Sequence, residues 1–318
     1  MARYSAQVQR FGIARETTRG TAETSPAVWI PTRGFAKFNF EPKHVQNPGI
    51  RGVMSRMPHI QTQKMGEGQI PLVLDAQYID RFFQSLLGDP TTAQQAATAA
   101  YKHTFVRGSG ISPVALTTFI DRSSAVHKQN LTVVKKIALK GNPAGLIEAD
   151  IDVLFKNEAS GSIGSPSYAT EQLTTPVQVS IEIGDVANTD IMDFNLSLDN
   201  GAKAIWTLNG SQYCDDILTP EPMNIEGGFK MLFSTADERD AFLANTTRKI
   251  EFIFTGNVIA STYYYTTKIT VHDARYTKAP YGEEEGLLAV EIALSGFYST
   301  ADSKDITVEV TNTTTTLV

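Results

Sequence analysis

Residues 68–87 read GQIPLVLDAQYIDRFFQSLL, and this stretch decides the fold. Its first seven residues are mostly apolar and include β-branched side chains, as in a buried strand. From Asp75 the apolar residues recur with the 3.6-residue period of a helix, and the pattern ends before Gly88. These apolar residues are Tyr78, Ile79, Phe82, Phe83 and Leu86. The stretch therefore predicts a strand that runs directly into a short helix.

The same succession of elements occurs twice in the chain. In each half an alternating strand, a long loop rich in proline and glycine, a second strand and a helix follow one another. The elements are residues 35–40, 68–74 and 75–87 in the first half, and 194–198, 228–233 and 234–245 in the second. Ser234 is the predicted cap of the second helix. The copies are 159 residues apart from Phe35 to Phe194, and 160 apart from Gly68 to Gly228.

Each half closes with two further strands, the last of them at residues 145–155 and 286–297. Between the halves, residues 159–167 (ASGSIGSPS) have the composition of a linker. The sequence therefore predicts a mainly β (α+β) chain of two repeated domains, each an antiparallel sandwich or partial barrel with one covering helix. We place the first domain and its N-terminal arm at residues 1–160, the linker at 161–176, and the second domain with its C-terminal tail at 177–318.

Composition and charge exclude several classes of protein. A net charge of −6 argues against a general nucleic-acid binder, which needs a basic face to neutralise phosphates. Charged residues are 19% of the chain, whereas 35 threonines fit the half-buried surfaces of sheets. Residues 1–12 (MARYSAQVQRFG) lack the apolar core of a secretory signal, and no apolar stretch is long enough to span a bilayer. We therefore expect a soluble protein that is made in a cytoplasm and does not enter a membrane.

Catalytic and metal-binding patterns are weak throughout the sequence. Cys214 is the only cysteine, and the five histidines are neither paired four residues apart nor adjacent to it, so we expect surface or loop positions for them. They are His44, His59, His103, His127 and His272. Glu283, Glu284 and Glu285 adjoin each other between Pro280 and Gly286, which is typical of a solvated turn. We predict no enzyme activity, no cofactor, no metal site and no catalytic residue.

One acidic pattern has two interpretations. Glu148, Asp150 and Asp152 alternate along the closing strand of the first half, so all three point to one face of the sheet, away from a core. They could form an ordinary solvated face, or a carboxylate-lined surface that repels polyanions. The closing strand of the second half carries only Glu291 at comparable positions.

The N-terminal part of the chain resembles the opening of phage tail tube proteins. Residues 12–21 (GIARETTRGT) fit the pattern G-x-x-x-E-T-x-x-G-T of that family, and the apolar residues 28–31 follow. Later elements resemble the family in the same order, including residues 101–105 (YKHTF), the closing strand 286–294, and Phe297 with Tyr298. The resemblance covers essentially the whole chain, and its specificity comes from the order of the motifs.

The resemblance implies a structural virion protein of a long-tailed, siphovirus-like bacteriophage. In that family rings stack into a tail tube through which DNA is ejected, and two domains in one chain imply trimeric pseudo-hexameric rings, with hexamers as the alternative. The implied partners are further copies, the tail terminator, the tape measure and the baseplate or tip proteins. DNA would pass through without specific binding. The implied location is the virion tail, after assembly in the cytoplasm of the bacterial host.

The resemblance also assigns roles to polar residues on the predicted strands. The candidates that would face the lumen are Glu148, Asp150, Asp152, Lys37, Asn39, Glu41, Asn195, Ser197, Asp199 and Glu291. Lys37 and Lys136 would add positive charge near the bore. Candidates for contacts between rings lie in the long loops 42–66 and 201–226, and they are Asn47, Arg51, Arg56, Asp215 and Asp216.

Two other functions remain open at this point. A non-enzymatic binding module, such as a carbohydrate-binding adhesin or a capsid decoration protein, would use aromatic clusters such as Tyr263, Tyr264 and Tyr265. Strand packing is the simpler explanation of that triplet, since it precedes the strand at residues 268–271. A glycan-active enzyme is the third alternative, because the spacing of two catalytic carboxylates is set by the fold.

Overall fold

The computed structural model describes residue 5, residues 8–49, residue 55, and residues 57–123, 125–161 and 163–317. Over these residues the chain is mainly β, as the sequence predicts, with antiparallel strand pairs and two short α-helices, α1 (Ile79–Leu87) and α2 (Asp237–Leu243). The strands of the first half are β1 (Arg10–Arg15), β2 (Val28–Ile30), β3 (Lys37–Gln46), β4 (His59–Val73), β5 (Thr91–Gln94), β6 (Tyr101–Val106), β7 (Leu116–Asp121), β8 (Val126–Gly141), β9 (Glu148–Phe155) and β10 (Asn157–Ser160). Those of the second half are β11 (Val179–Ile183), β12 (Val186–Ala187), β13 (Ile191–Asp199), β14 (Lys203–Ile205), β15 (Asp216–Leu218), β16 (Asn224–Leu232), β17 (Arg248–Ala260), β18 (Tyr263–Lys278), β19 (Tyr281–Glu284), β20 (Leu287–Phe297) and β21 (Ile306–Asn312).

One continuous sheet runs through both halves of the molecule. In the first half the neighbouring strands are β3, β4, β9 and β8, and in the second they are β13, β16, β20 and β18. Strand β8 pairs directly with β13, so the two four-stranded units join side by side into eight strands. The halves are therefore connected by a backbone ladder as well as by the chain.

The ladders give the correspondence between the halves residue by residue. In each half the opening strand pairs with the second strand: Gly68 pairs with Phe38 in the first half, and Gly227 pairs with Leu196 in the second. Against the closing strands, β8 and β18 each carry a bulge, after Val134 and after Tyr276 respectively. Gly68 thus corresponds to Gly227 rather than Gly228, which shortens both sequence-based spacings by one residue.

Most of the remaining strands pair with these two units or with one another, whereas β14 and β15 form a separate two-stranded sheet. In the first half β1 pairs with β2 and β7, and in the second β11 pairs with β12 and β17. Strand β10 pairs with β8, and β21 pairs with β18. The first half adds β5 and β6 after helix α1; β5 pairs with β6, and β6 pairs with β21 of the second half. Most of the buried apolar residues form one core across both halves.

The helix boundaries and one histidine differ from the sequence-based expectations. Helix α1 begins at Ile79, since the Asp75 carboxylate accepts the Gln77 N–H at 2.7 Å and holds residues 75–78 in a turn. Helix α2 begins at Asp237 without a side-chain cap, and the predicted cap Ser234 instead donates its hydroxyl to Asp190. His103 is fully buried rather than on the surface, because β6 is covered by the C-terminal residues of the chain.

Within the described residues, no helix is long and apolar enough to cross a membrane.

Candidate functional site

The face of the main sheet that turns away from the core is polar in both halves. Ala149, Ile151 and Val153 are at most 2% exposed, whereas the alternating Glu148, Asp150 and Asp152 are half-buried on the opposite face, as the sequence predicts. The ladders place the other lumen candidates on the same face. They are Lys37, Asn39 and Glu41 on β3, Asn195, Ser197 and Asp199 on β13, and Glu291 on β20.

Cations compensate the acidic residues of β9. The Arg33 guanidinium binds the carboxylates of Glu148 and Asp150, the latter at 3.0 Å. Lys140 on β8 lies opposite Glu148, with 2.9 Å between Nζ and the carboxylate. This hydrogen bond holds the pKa of Glu148 below its ordinary value and raises the pKa of Lys140. The predicted carboxylate stripe is therefore a network of both signs.

Asp152 differs from the other two carboxylates of β9. Burial raises its pKa above the ordinary value, against the opposing attraction of Lys136, which faces it across the ladder. Lys136 also faces Asp199 on its other side. A row of alternating charge thus crosses the boundary between the two halves.

The second half repeats this compensation with fewer charges. Lys230 on β16 faces Asp193 on one side and Glu291 on the other, and it forms an ion pair with Glu284. Burial raises the pKa of Asp193. Sequence reasoning missed Arg33, Lys140 and Lys230; the alternation of Lys136, Ala138 and Lys140 along β8 was the signal for Lys140.

The junction between β8 and β13 shows how two of these sheets join. Leu196 faces Leu139, Leu198 faces Ile137, and Asp199 faces Lys136. Apolar pairs lie on the core side and an opposite-charge pair lies on the polar side. Each contributes a few tenths of a kcal/mol up to about 1 kcal/mol, so the register is specified by several pairs together.

Both outer edges of the eight-stranded sheet are open. Strand β3 pairs with β4, β19 pairs with β20, and within the described part of the chain no strand covers the other side of either. The Gln9 side chain binds both the N–H and the C=O of Ala36 at one end of the β3 edge, at 2.8 and 3.0 Å. Unpaired edges of this length invite pairing with another chain.

The loop candidates differ in where the structure places them. Asn47 is half-buried just past the end of β3 and accepts the Gly49 N–H at 3.0 Å, while Arg51 and Arg56 lie outside the described residues. Asp216 begins β15 and binds the Arg19 side chain at 2.7 Å. Asp215 receives a hydrogen bond on its backbone C=O from Lys156 at 3.2 Å. The second long loop is therefore packed against the first half of the same chain.

The tyrosine triplet does not form a flat aromatic platform. Successive residues of β18 point to opposite faces, and Tyr264 is 44% exposed while Tyr265 packs against the core. Cys214 is fully buried, which raises its thiol pKa to about 11. Within the described residues there is no group of three or more His, Cys, Asp or Glu side chains that could hold a metal ion.

Comparison with known proteins gives the family of the chain. Among curated proteins, none matches the chain. The family model described as phage tail tube protein matches residues 6–313, which is nearly the whole length. The match spans the polar sheet face, both open edges and the junction between the halves. The chain therefore belongs to the phage tail tube protein family.

Proposed function

We propose that copies of this chain form closed rings, and that the rings stack into the tail tube through which the phage genome is ejected. Support comes from the family match and from an eight-stranded sheet with one polar face and two open edges. Edge-to-edge pairing of such sheets around an axis would close a barrel and leave no free edge. The role is structural and non-enzymatic.

The junction inside the chain supplies a template for the junction between copies. Strand β3 corresponds to β13, and β18 together with β19 corresponds to β8. By analogy with the internal pairing of β13 with β8, β3 of one copy would pair with β18 and β19 of the next copy. The register of the internal junction places Phe38 opposite Tyr281, Phe40 opposite Ala279, and Glu41 opposite Lys278. Glu41 and Lys278 are both exposed and would repeat the pair of Asp199 with Lys136.

A duplicated unit determines the size of the ring. We propose that the repeated order of strands records an internal duplication, with the domains at 1–160 and 177–318 and the linker at 161–176. Three copies would then supply six similar four-stranded units, which makes a trimer a pseudo-hexamer. A hexamer of the whole chain would contain twelve such units, so its ring would have twice the circumference.

The polar sheet face would then line the lumen. Its residues carry both signs, and the cations nearest to β9 are bound to carboxylates rather than free for phosphates. A compensated surface does not hold a polyanion, because tight binding needs cations that can displace the counterions of DNA. The proposed lumen residues are those named in the sequence analysis, joined by Lys136, Lys140 and Lys230.

The remaining interactions follow from a siphovirus-like tail. We propose that the tail terminator and the baseplate or tip proteins bind the two ends of the tube, that the tape measure occupies the lumen before DNA, and that assembly takes place in the bacterial cytoplasm. The hairpin of β3 and β4 extends beyond the paired core, with Val45 and Ile60 about half exposed, and is the proposed contact to the adjacent ring.

Electron microscopy of the purified protein tests the proposed function directly. Rings or tubes with an open centre and three chains per ring are expected. A dispersed monomer under all conditions of concentration and salt would contradict it.

Charge exchange at the open edges tests the register. Glu41→Lys and Lys278→Glu should each reduce the yield of rings at least several-fold, because like charges then face each other. The double variant should restore ring formation. Glu67→Lys is the control, since Glu67 is exposed on β4 of the same hairpin and lies one strand away from the edge.

Charge reversal on β9 tests the lumen. Asp150→Lys with Asp152→Lys should leave tubes intact by microscopy and reduce DNA delivery and infectivity, because free cations would retain the phosphates. Unchanged infectivity would show that β9 does not line the DNA path.

A further inference from the structure

A groove at one end of the first half is filled by the linker. Gln172 donates its N–H to the Asp75 carboxylate at 2.8 Å, and Tyr78 donates its hydroxyl to the Ala169 C=O at 3.0 Å. Both acceptor and donor belong to the turn between β4 and α1. The linker thus packs on the first half before it enters the second half at β11.

Thr174 completes this contact by bridging the ends of two strands. Its N–H donates to the Leu74 C=O at 3.1 Å, and its C=O accepts the Ile147 N–H at 3.2 Å. Leu74 also donates its own N–H to the Ile147 C=O at 2.8 Å. With the linker in place, Ile147 is only 1% exposed and Leu74 is fully buried.

The second half has the same strand ends, and no segment of the described residues fills the corresponding place. Phe233 donates its N–H to the Leu288 C=O at 2.9 Å, as Leu74 does to Ile147. Among the described residues, none makes the pair of hydrogen bonds that Thr174 makes. Leu288 is 51% exposed, whereas its counterpart Ile147 is 1% exposed, so the corresponding groove is left uncovered at Leu288.

The segment that precedes β1 matches the linker that precedes β11. Gln178 donates its N–H to the Thr175 C=O at 3.0 Å, and Val8 donates its N–H to the Ser5 C=O at 3.2 Å in the same kind of turn. Five residues after these donors, Ile183 and Ile13 each pair with the short strand that follows, at Val186 and Val28. In this alignment Tyr4 of the N-terminal segment corresponds to Thr174 of the linker.

We propose that residues 1–5 of one copy fill the groove at Phe233 and Leu288 of the neighbouring copy, as the linker fills the corresponding groove within the chain. This inference rests on the proposed ring. When β3 of one copy pairs with β18 and β19 of the next, the N-terminal segment of the first copy comes next to the second half of its neighbour. The linker lies next to the first half of its own chain in the same way. The N-terminal segment is then a clasp across the junction.

Charge complementarity supports this occupant. In the hairpin of β19 and β20, Glu283 and Glu285 are exposed, and Glu283 lies opposite Leu288 in the ladder, while Glu284 is already paired with Lys230. The segment MARYS brings the cationic side chain of Arg3. Its attachment is therefore expected to weaken as salt concentration rises.

Photo-cross-linking in assembled tubes tests the clasp. Tyr4 is replaced by the aromatic photo-cross-linker p-benzoylphenylalanine, and the tubes are irradiated and digested for mass spectrometry. Covalent dimers and trimers joined to peptides that contain Phe233 or Leu288 are expected. Products within one chain, or joined to the β3–β4 hairpin of another ring, would overturn the proposal. The same group at Tyr168 is the control and should give products within one chain, because Tyr168 already lies 6.5 Å from Trp29 between ring centres.

A second pair of variants separates the clasp from the ring itself. Leu288→Glu should lower ring yield at least several-fold and leave the monomer's thermal unfolding unchanged, because the side chain is already half exposed. Val258→Glu, with 54% exposure at the distant β17–β18 turn, should leave ring yield unchanged. Rings that form normally with Leu288→Glu would overturn the clasp alone, whereas the absence of rings from the unmodified protein would overturn the proposed function as well.

Discussion

Helices α1 and α2 occupy corresponding places in the two halves, and their environments differ. All nine residues of α1 are buried, whereas Ala241 is the one buried residue of the seven in α2. Helix α1 lies beneath β6 and the C-terminal residues, and Asn312 reaches it with hydrogen bonds to Ala76 C=O and the Asp80 carboxylate. Helix α2 has Asp237, Glu238 and Asp240 in its first turn and stays at the surface. The first half thus buries its helix in the shared core, while the second keeps its helix and a groove accessible.

The largest expected effect on stability comes from truncating a buried side chain of α1. Phe83→Ala should lower the free energy of unfolding by about 3–5 kcal/mol, because the ring is fully buried and its removal leaves a cavity. Leu243→Ala on α2 should change it by less than about 0.5 kcal/mol, since Leu243 is 66% exposed. Denaturant unfolding of the monomer measures both. Equal effects would show that the two helices contribute equally to stability.

The turn before α1 contains a buried carboxyl group that makes the free energy of unfolding depend on pH, and the second half has no counterpart at this place. Burial raises the pKa of Asp75 to about 6, against 3.8 for the free side chain, while Ser234 stands at the corresponding place in the second half. The contribution of Asp75 to stability is complete below pH 4 and is lost as the pH rises through 6, because the folded state then holds a buried charge. Relative to Asp75→Asn, the unmodified protein should lose up to about 3 kcal/mol between pH 4 and pH 7.

The control for this pH dependence is Ser234→Ala. It should leave the slope of stability against pH unchanged, since it removes no titrating group. A slope that persists in Asp75→Asn would assign the effect to another carboxyl group. Unfolding by denaturant at four or five pH values is sufficient to decide.

The hydrogen bonds of Asn312 test whether the C-terminal residues stabilise helix α1. Asn312→Ala should cost about 2 kcal/mol, because it leaves the buried Asp80 carboxylate with one fewer donor. Thr313→Ala, at the next and exposed position, should cost less than about 0.5 kcal/mol. If both variants unfold alike, the C-terminal residues do not stabilise α1.

The smallest effect is expected on the polar face. Arg33→Ala removes the ion pairs to Glu148 and Asp150 and should cost at most about 1 kcal/mol, because all three groups are partly solvated. The difference should shrink as salt is raised from 0.05 to 1 M, and Asn39→Ala on the same face is the uncharged control. A larger, salt-independent loss would mean that Arg33 packs as part of the core.

Much of this molecule could be predicted from local pattern. The alternation of residues 148–153 gave the two faces of β9, and the helical spacing around Phe82 and Phe83 gave α1. Charge compensation could not be predicted, because Arg33 is 115 residues from Glu148 in the chain and only the folded ladders bring them together. The buried position of His103 likewise depends on Asn312 and Thr314, which lie more than 200 residues away.

The amino-acid sequence by itself determined the β-rich class, the strand-to-helix step and the repeated order of elements, because apolar period and turn residues act over a few positions. The tertiary structure alone decided which strands are neighbours across the halves, which edges stay open and which groove the linker fills. Those features depend on backbone hydrogen bonds between residues distant in the chain, such as Thr174 with Leu74 and Ile147. No local pattern in a sequence records such a bond, since its geometry exists only once the sheet has formed.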